Sequence, residues 1–181
     1  MYSLCVAYPE PLAEELYLET KKFITKHVNN LLENVKSQGD NNLLKSYYNC
    51  WLKYSQGINY LHKLYVYLNQ QHIKKKRMSD AEAVYGNMTA DSTGQLEIGE
   101  LGLEIWKNNM ITPLKNALVT QLLDGIASDR DMMVHPILAE TIKGVIHSFV
   151  EVQDYKKKDN MQVSKHIFNS IFFSVETSVA I

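Results

Sequence analysis

Leu44, Tyr47, Tyr48, Trp51, Tyr54, Ile58, Leu61, Leu64, Tyr65 and Leu68 recur at helical spacing. They trace one apolar stripe along a helix of about seven turns. Such a stripe needs a partner surface, and no stretch of period-two alternation is long enough to supply a sheet. Breakers are scarce, with 8 Gly and 4 Pro in 181 residues, which favours long helices over a turn-rich fold. The expected class is all-α.

The flanking sequence extends this pattern. Tyr2 to Tyr8 reads as the last turns of a helix stopped by Pro9 and Pro11. From Leu12 to Val35, apolar positions including Leu16, Ile24, Val28 and Leu31 recur on a long amphipathic helix, and Ser37, Gln38, Gly39 and Asp40 end it. Gly57 lies inside the aromatic stripe, where glycine costs up to ~1 kcal/mol relative to alanine. It implies either a bend or the close approach of a neighbouring helix. Lys74 to Gly94 is a polar connection in which Ser79 with Glu82, and Ser92 with Gln95, have the form of capping boxes. Leu96, Leu103, Trp106 and Met110 then share a face, and Pro113 kinks or restarts the helix. Asp124 to Asp131 reads as a helix end and loop, followed by helices over Ile137 to Val152 and Val163 to Phe173.

Several function classes find no support in these residues. The net charge of −1 provides no global attraction to nucleic acid. The runs Lys74 to Arg77 and Lys156 to Lys158 lack interleaved aromatics or glycines, and read as solvated charge at helix ends. Cys5 and Cys50 are too few for a metal quartet, and the six histidines have no His-Glu-x-x-His spacing, so neither metal nor cofactor is expected. No phosphate loop, nucleophile elbow or carboxylate pair with an accompanying histidine stands out, so no catalytic residue is assigned. No run reaches the ~18 apolar residues of a membrane span, and the start lacks the basic region of a signal peptide. Localisation to cytoplasm and nucleus is the expectation. The aromatic stripe reads as core, with tyrosine hydroxyls emerging at its edge.

The run LLKSYYNCWLKYSQGINYLHKLYVYLNQQHIKKKR resembles the cullins, whose first repeat carries a Trp, a Tyr or Phe soon after, then a Tyr-Leu-Asn run and a basic cluster. Trp51, Tyr54, Tyr67, Leu68, Asn69, Ile73 and Lys74 fill those places. Downstream, LEIGELGLEIWKNNMITPL is similar to the family's small-residue helix leading into Trp and Pro-Leu, here Trp106, Pro113 and Leu114. GVIHSFVEVQDYKKK, with Gly144, Val145, Ser148, Val150 and Glu151, resembles the opening of the family's second repeat. Within the family the likeness is nearest to the cullin-two branch, which pairs with elongins B and C.

The resemblance implies a cullin-repeat helical bundle, with residues 1–125 an incomplete first repeat and 126–181 the start of a second with an atypical end. In the family a first helix and most of the second precede the position of Met1. Nothing here resembles the carboxy-terminal region, so a RING subunit is not an expected partner. The implied role is a non-catalytic scaffold of a ubiquitin ligase. Its adaptor face would combine Ser3, Val6, Ala7 and Tyr8 from the second helix with Gly99, Glu100 and Leu103 from the fifth. Small residues at Ala7, Gly99 and Gly102 would let a partner helix come close. The implied partners are elongin C directly, elongin B behind it and a substrate receptor of the VHL type. Two other readings stay open: a free-standing helical interaction module without ligase association (or a competitor of the intact cullin), and a small-molecule or enzymatic bundle, for which no convergent polar set is found.

Overall fold

Gly39 adopts a φ of +75°, which a side chain would oppose, and it lies just past the end of α1 (Ala13–Ser37). In the computed structural model, residues 12–39, 42–74, 95–130 and 136–154 are described, the side chains of 128–130, 136–138 and 154 excepted. The expectations for Tyr2 to Tyr8, for Ser79 with Glu82 and for Val163 to Phe173 fall outside them. After α1 come α2 (Leu43–Leu64) and α3 (Val66–Leu68), which opens into a π turn over Asn69–Lys74. Then follow α4 (Ile98–Trp106), a second π segment over Lys107–Ile111, α5 (Thr112–Arg130) and α6 (Pro136–Asp154). Among the described residues there is no strand, and the bundle is an all-α helical repeat.

The aromatic stripe makes α2 the shared wall of the bundle, packed against α1, α4, α5 and α6. Trp106 is fully buried at its centre, with ring centroids 4.5 Å from Tyr54, 5.4 Å from Trp51 and 5.7 Å from Tyr47. Contrary to the expectation of hydroxyls at the edge, two of these tyrosines bond inside the core. Tyr54 donates to the Gly102 carbonyl at 2.7 Å. Trp106 Nε1 donates to Tyr47 Oη at 3.1 Å, and Tyr47 Oη lies 3.0 Å from Ser148 Oγ. Ser148 Oγ itself donates to the Val145 carbonyl at 2.6 Å, so the Tyr47 proton goes to Ser148. Every buried donor in the series has an acceptor, as a low-dielectric interior demands.

Three local expectations are corrected, and the restart at Pro113 is seen. The stripe does not continue as one helix to Leu68: α2 stops at Leu64, which is exposed, and the backbone leaves helical geometry at Tyr65. The wider turn that follows turns Asn69 and Ile73 into the interior. The box that begins α4 is Glu97 with Glu100, not Ser92 with Gln95. Asp124 and Gly125 do not end a helix, because α5 runs on to Arg130. Gly125 is instead a contact point, where an added Cβ would stand 2.8 Å from Ile142 Cδ1 on α6. At Pro113, which brings no N–H, a π segment precedes α5, and Thr112 Oγ1 bonds the Lys107 carbonyl at 2.9 Å.

Gly57 answers to neither of the two reasons foreseen for it. α2 passes through it without interruption, and among the described residues nothing lies within 4 Å of the position a Cβ would take. Gly57→Ala is therefore expected to raise stability by about 0.5–1 kcal/mol, measured as a higher urea midpoint at unchanged m-value.

Candidate functional site

Gly99, Glu100 and Leu103 stand on α4, whose first turn is fastened by three neighbouring elements. The Asn69 amide is buried in the π turn, and its Oδ1 accepts from the Ile98 N–H at 3.1 Å. Its Nδ2 faces His62 Nδ1 at 3.2 Å and the His62 carbonyl at 3.4 Å, so one side chain ties α2, the π turn and α4 together. From α1, the Tyr17 hydroxyl donates to the Leu96 carbonyl at 3.1 Å. Glu14 receives the Gln95 amide and lies 3.1 Å from His72 Nε2. Lys74 pairs with Glu97 at 3.4 Å, a modest contribution at a partly exposed site. Side chains carried on such a fixed element lose little further freedom when a partner binds.

The three predicted residues have different surroundings. Leu103 and Gly99 line one shallow depression of about 200 Å³ between α2, α4 and α6, together with Ser55, Asn59, His62 and Glu151. Leu103 is half-buried, with its inner side against the core. Glu100 turns to the helix start, where its carboxylate accepts from the Glu97 N–H at 3.2 Å. Gly99 serves a packing need within the chain, since a Cβ there would meet His62 Nδ1 at 2.9 Å. Gly102 does likewise against Ile58. Ser3, Val6, Ala7 and Tyr8 lie outside the described residues.

A second depression of about 420 Å³, lined by Tyr48, Leu52, Lys143 and His147 among others, shares Ser55 and Glu151 with the first. Among the described residues no group of His, Cys, Asp and Glu is placed to hold a metal ion, and no helix is long and apolar enough to cross a membrane. Cys50 is half-buried, and burial pushes its thiol above the ordinary value, the direction that disfavours a reactive thiolate. Of the two basic runs only Lys74 is described. The residue that reading the sequence missed is Asn69. The Tyr-Leu-Asn run marked it, but its role needs Ile98, 29 positions away, to be seen.

Stacked amphipathic helices with a shared wall are the features of a helical-repeat protein. The sequence matches the cullin alpha solenoid domain over residues 1–177, and the chain belongs to the cullin family, in its amino-terminal repeat region. It is similar to Cullin-2 of Caenorhabditis elegans, 35% identical over 156 residues that cover 85% of this chain and 20% of that protein. It is 31% identical to Cullin-1 of Dictyostelium discoideum over 166 residues, 90% of this chain and 20% of the relative. Cell division control protein 53 of Saccharomyces cerevisiae shares 23% identity over 163 residues, 89% and 18% of the two chains. The chain thus spans about a fifth of the length of these relatives.

Proposed function

We infer that this chain is the adaptor-docking end of a scaffold for a cullin-RING ubiquitin ligase, acting by binding and not by catalysis. The family match along nearly the whole chain carries the reading. Cullin-2 among its relatives favours elongin C as the direct contact, with elongin B behind it and a VHL-type receptor at the same end. The contact would use Gly99, Glu100 and Leu103 with Ser3, Val6, Ala7 and Tyr8, and no RING subunit is proposed for this segment. A scaffold acts through distance and stiffness, and the bonds that fasten α4 suit that task. Cytoplasm and nucleus are the proposed locations.

Calorimetry against a purified elongin B and C pair tests this. Leu103→Asp places a charge where an apolar contact is proposed, and binding is expected to weaken by roughly tenfold or more. Val6→Ala with Tyr8→Ala is expected to act in the same direction. A chain whose circular dichroism matches the wild type and whose affinity is unchanged in both variants removes the surface. Absence of any binding by the wild-type chain favours a free-standing helical module.

A further inference from the structure

Phe23 on α1 is 67% exposed, yet it borders an apolar slot that runs between α1 and α2. Ile24, Ile58 and Leu61 line the slot, Gly57 opens its rim, and its volume of about 200 Å³ has room for a large side chain. One wall is a row of nearly parallel rings. Phe23 and His27 have centroids 6.5 Å apart at 5°, and His27 and Tyr54 are 6.4 Å apart at 18°. Tyr54 is in turn packed on Trp106, so the wall is anchored in the core. Apart from Ile58, which is buried, the slot shares no residue with the depression at Leu103.

Two observations indicate what fills it. The first is charge. α2 contains Lys45, Lys53 and Lys63 and no carboxylate, whereas Lys21, Lys22 and Lys26 of α1 line a separate depression and Lys22 is paired with Glu19. Lys53 lines the slot, and the ion pairs of the described residues do not include it. An isologous contact with a second copy would set the lysines of α2 against themselves, whereas an acidic partner would neutralise Lys53. The second is Gly57, a mid-helix glycine for which no neighbour among the described residues supplies a reason. A side chain there would close the rim.

We propose that the slot between α1 and α2 docks an acidic amphipathic helix from another protein, with one bulky apolar residue seated beside Gly57 and a carboxylate facing Lys53. This surface is separate from the depression at Leu103, and its occupant is recognised by a helix-in-groove mode.

The probe is a fluorescein-labelled helical peptide with leucine and phenylalanine on one face and glutamate elsewhere, titrated with the 181-residue chain by anisotropy. A twin in which every glutamate is lysine serves as control. The expected result is saturable binding of the acidic peptide alone, weakened roughly tenfold or more by Gly57→Leu, which fills the slot on an exposed helical face, and by Lys53→Glu. Elevated salt is expected to weaken binding further. Indifference to both substitutions, equal binding of the lysine twin, or no binding tighter than about 1 mM overturns the proposal. So does self-association of the chain that Gly57→Leu abolishes, since the occupant is then a second copy. A form extended upstream of Met1 that no longer takes the peptide would assign the slot to the protein's own chain, and also overturns it.

Discussion

Trp106→Ala is expected to cost about 3–5 kcal/mol, a large part of the ~5–15 kcal/mol that holds a domain folded, and so to abolish a cooperative urea transition or bring its midpoint close to zero. Three aromatic rings from α2 rest on this indole, and it is fully buried, so the cavity left behind has little means of collapsing. Tyr47→Phe dissects the polar part. It keeps the ring and removes the oxygen, leaving the Trp106 N–H without its acceptor, for an expected loss of about 1–3 kcal/mol. Burial also raises the Tyr47 hydroxyl from 10.0 to about 12, and raises that of Tyr54 as well. The unfolded chain therefore loses these protons first as pH rises. Stability from this source is complete below pH 10 and is lost as pH climbs towards 12. Tyr47→Phe should flatten that alkaline decline, measured as urea midpoints across the range, and an equally steep decline in the variant would contradict the burial.

Gly102→Ala is expected to destabilise by about 1–3 kcal/mol, opposite in sign to Gly57→Ala on the helix beside it. A Cβ at 102 would stand 2.7 to 2.9 Å from three atoms of Ile58, a buried β-branched side chain with few rotamers to retreat into. The gain in helix propensity, about 1 kcal/mol, does not offset that overlap. Gly144→Ala should behave alike, because the new carbon would collide with the Tyr48 ring. Relief identifies the cause: Ile58→Ala should cost less in the Gly102→Ala background than in the wild type. Additive costs would place the strain elsewhere.

These glycines show where reading from the sequence reaches its limit. Helical period located α1, the main part of α2, α4 with its Trp106 face, and α6 to within a few residues, because each has a sustained apolar stripe. Gly39 was legible as a stop because it follows the last periodic residue of α1. Gly57, Gly102 and Gly125 carry no such mark. The first faces open space, the others meet side chains 44 and 17 positions away, and only tertiary packing separates the two cases. The π turns were hidden for a related reason: the bond Asn69 makes to Ile98 spans 29 positions and leaves no local mark. The candidate face was legible only through family resemblance, since Gly99, Glu100 and Leu103 have no chemistry that announces a role. Their common helix was visible, but not the fact that Gly99 and Leu103 open on one depression while Glu100 caps the helix.

Tyr47 and Ser148 stand 101 positions apart in the chain and are joined by a directed bond inside the core. A greasy contact between α2 and α6 could slide by a fraction of a turn at little cost, as oiled rods do. A bond with a fixed donor and acceptor is a ratchet tooth: any slip strands the Tyr47 hydroxyl away from Ser148 inside the core. The register of α6 against α2 is thus set by a discrete lock as well as by apolar packing.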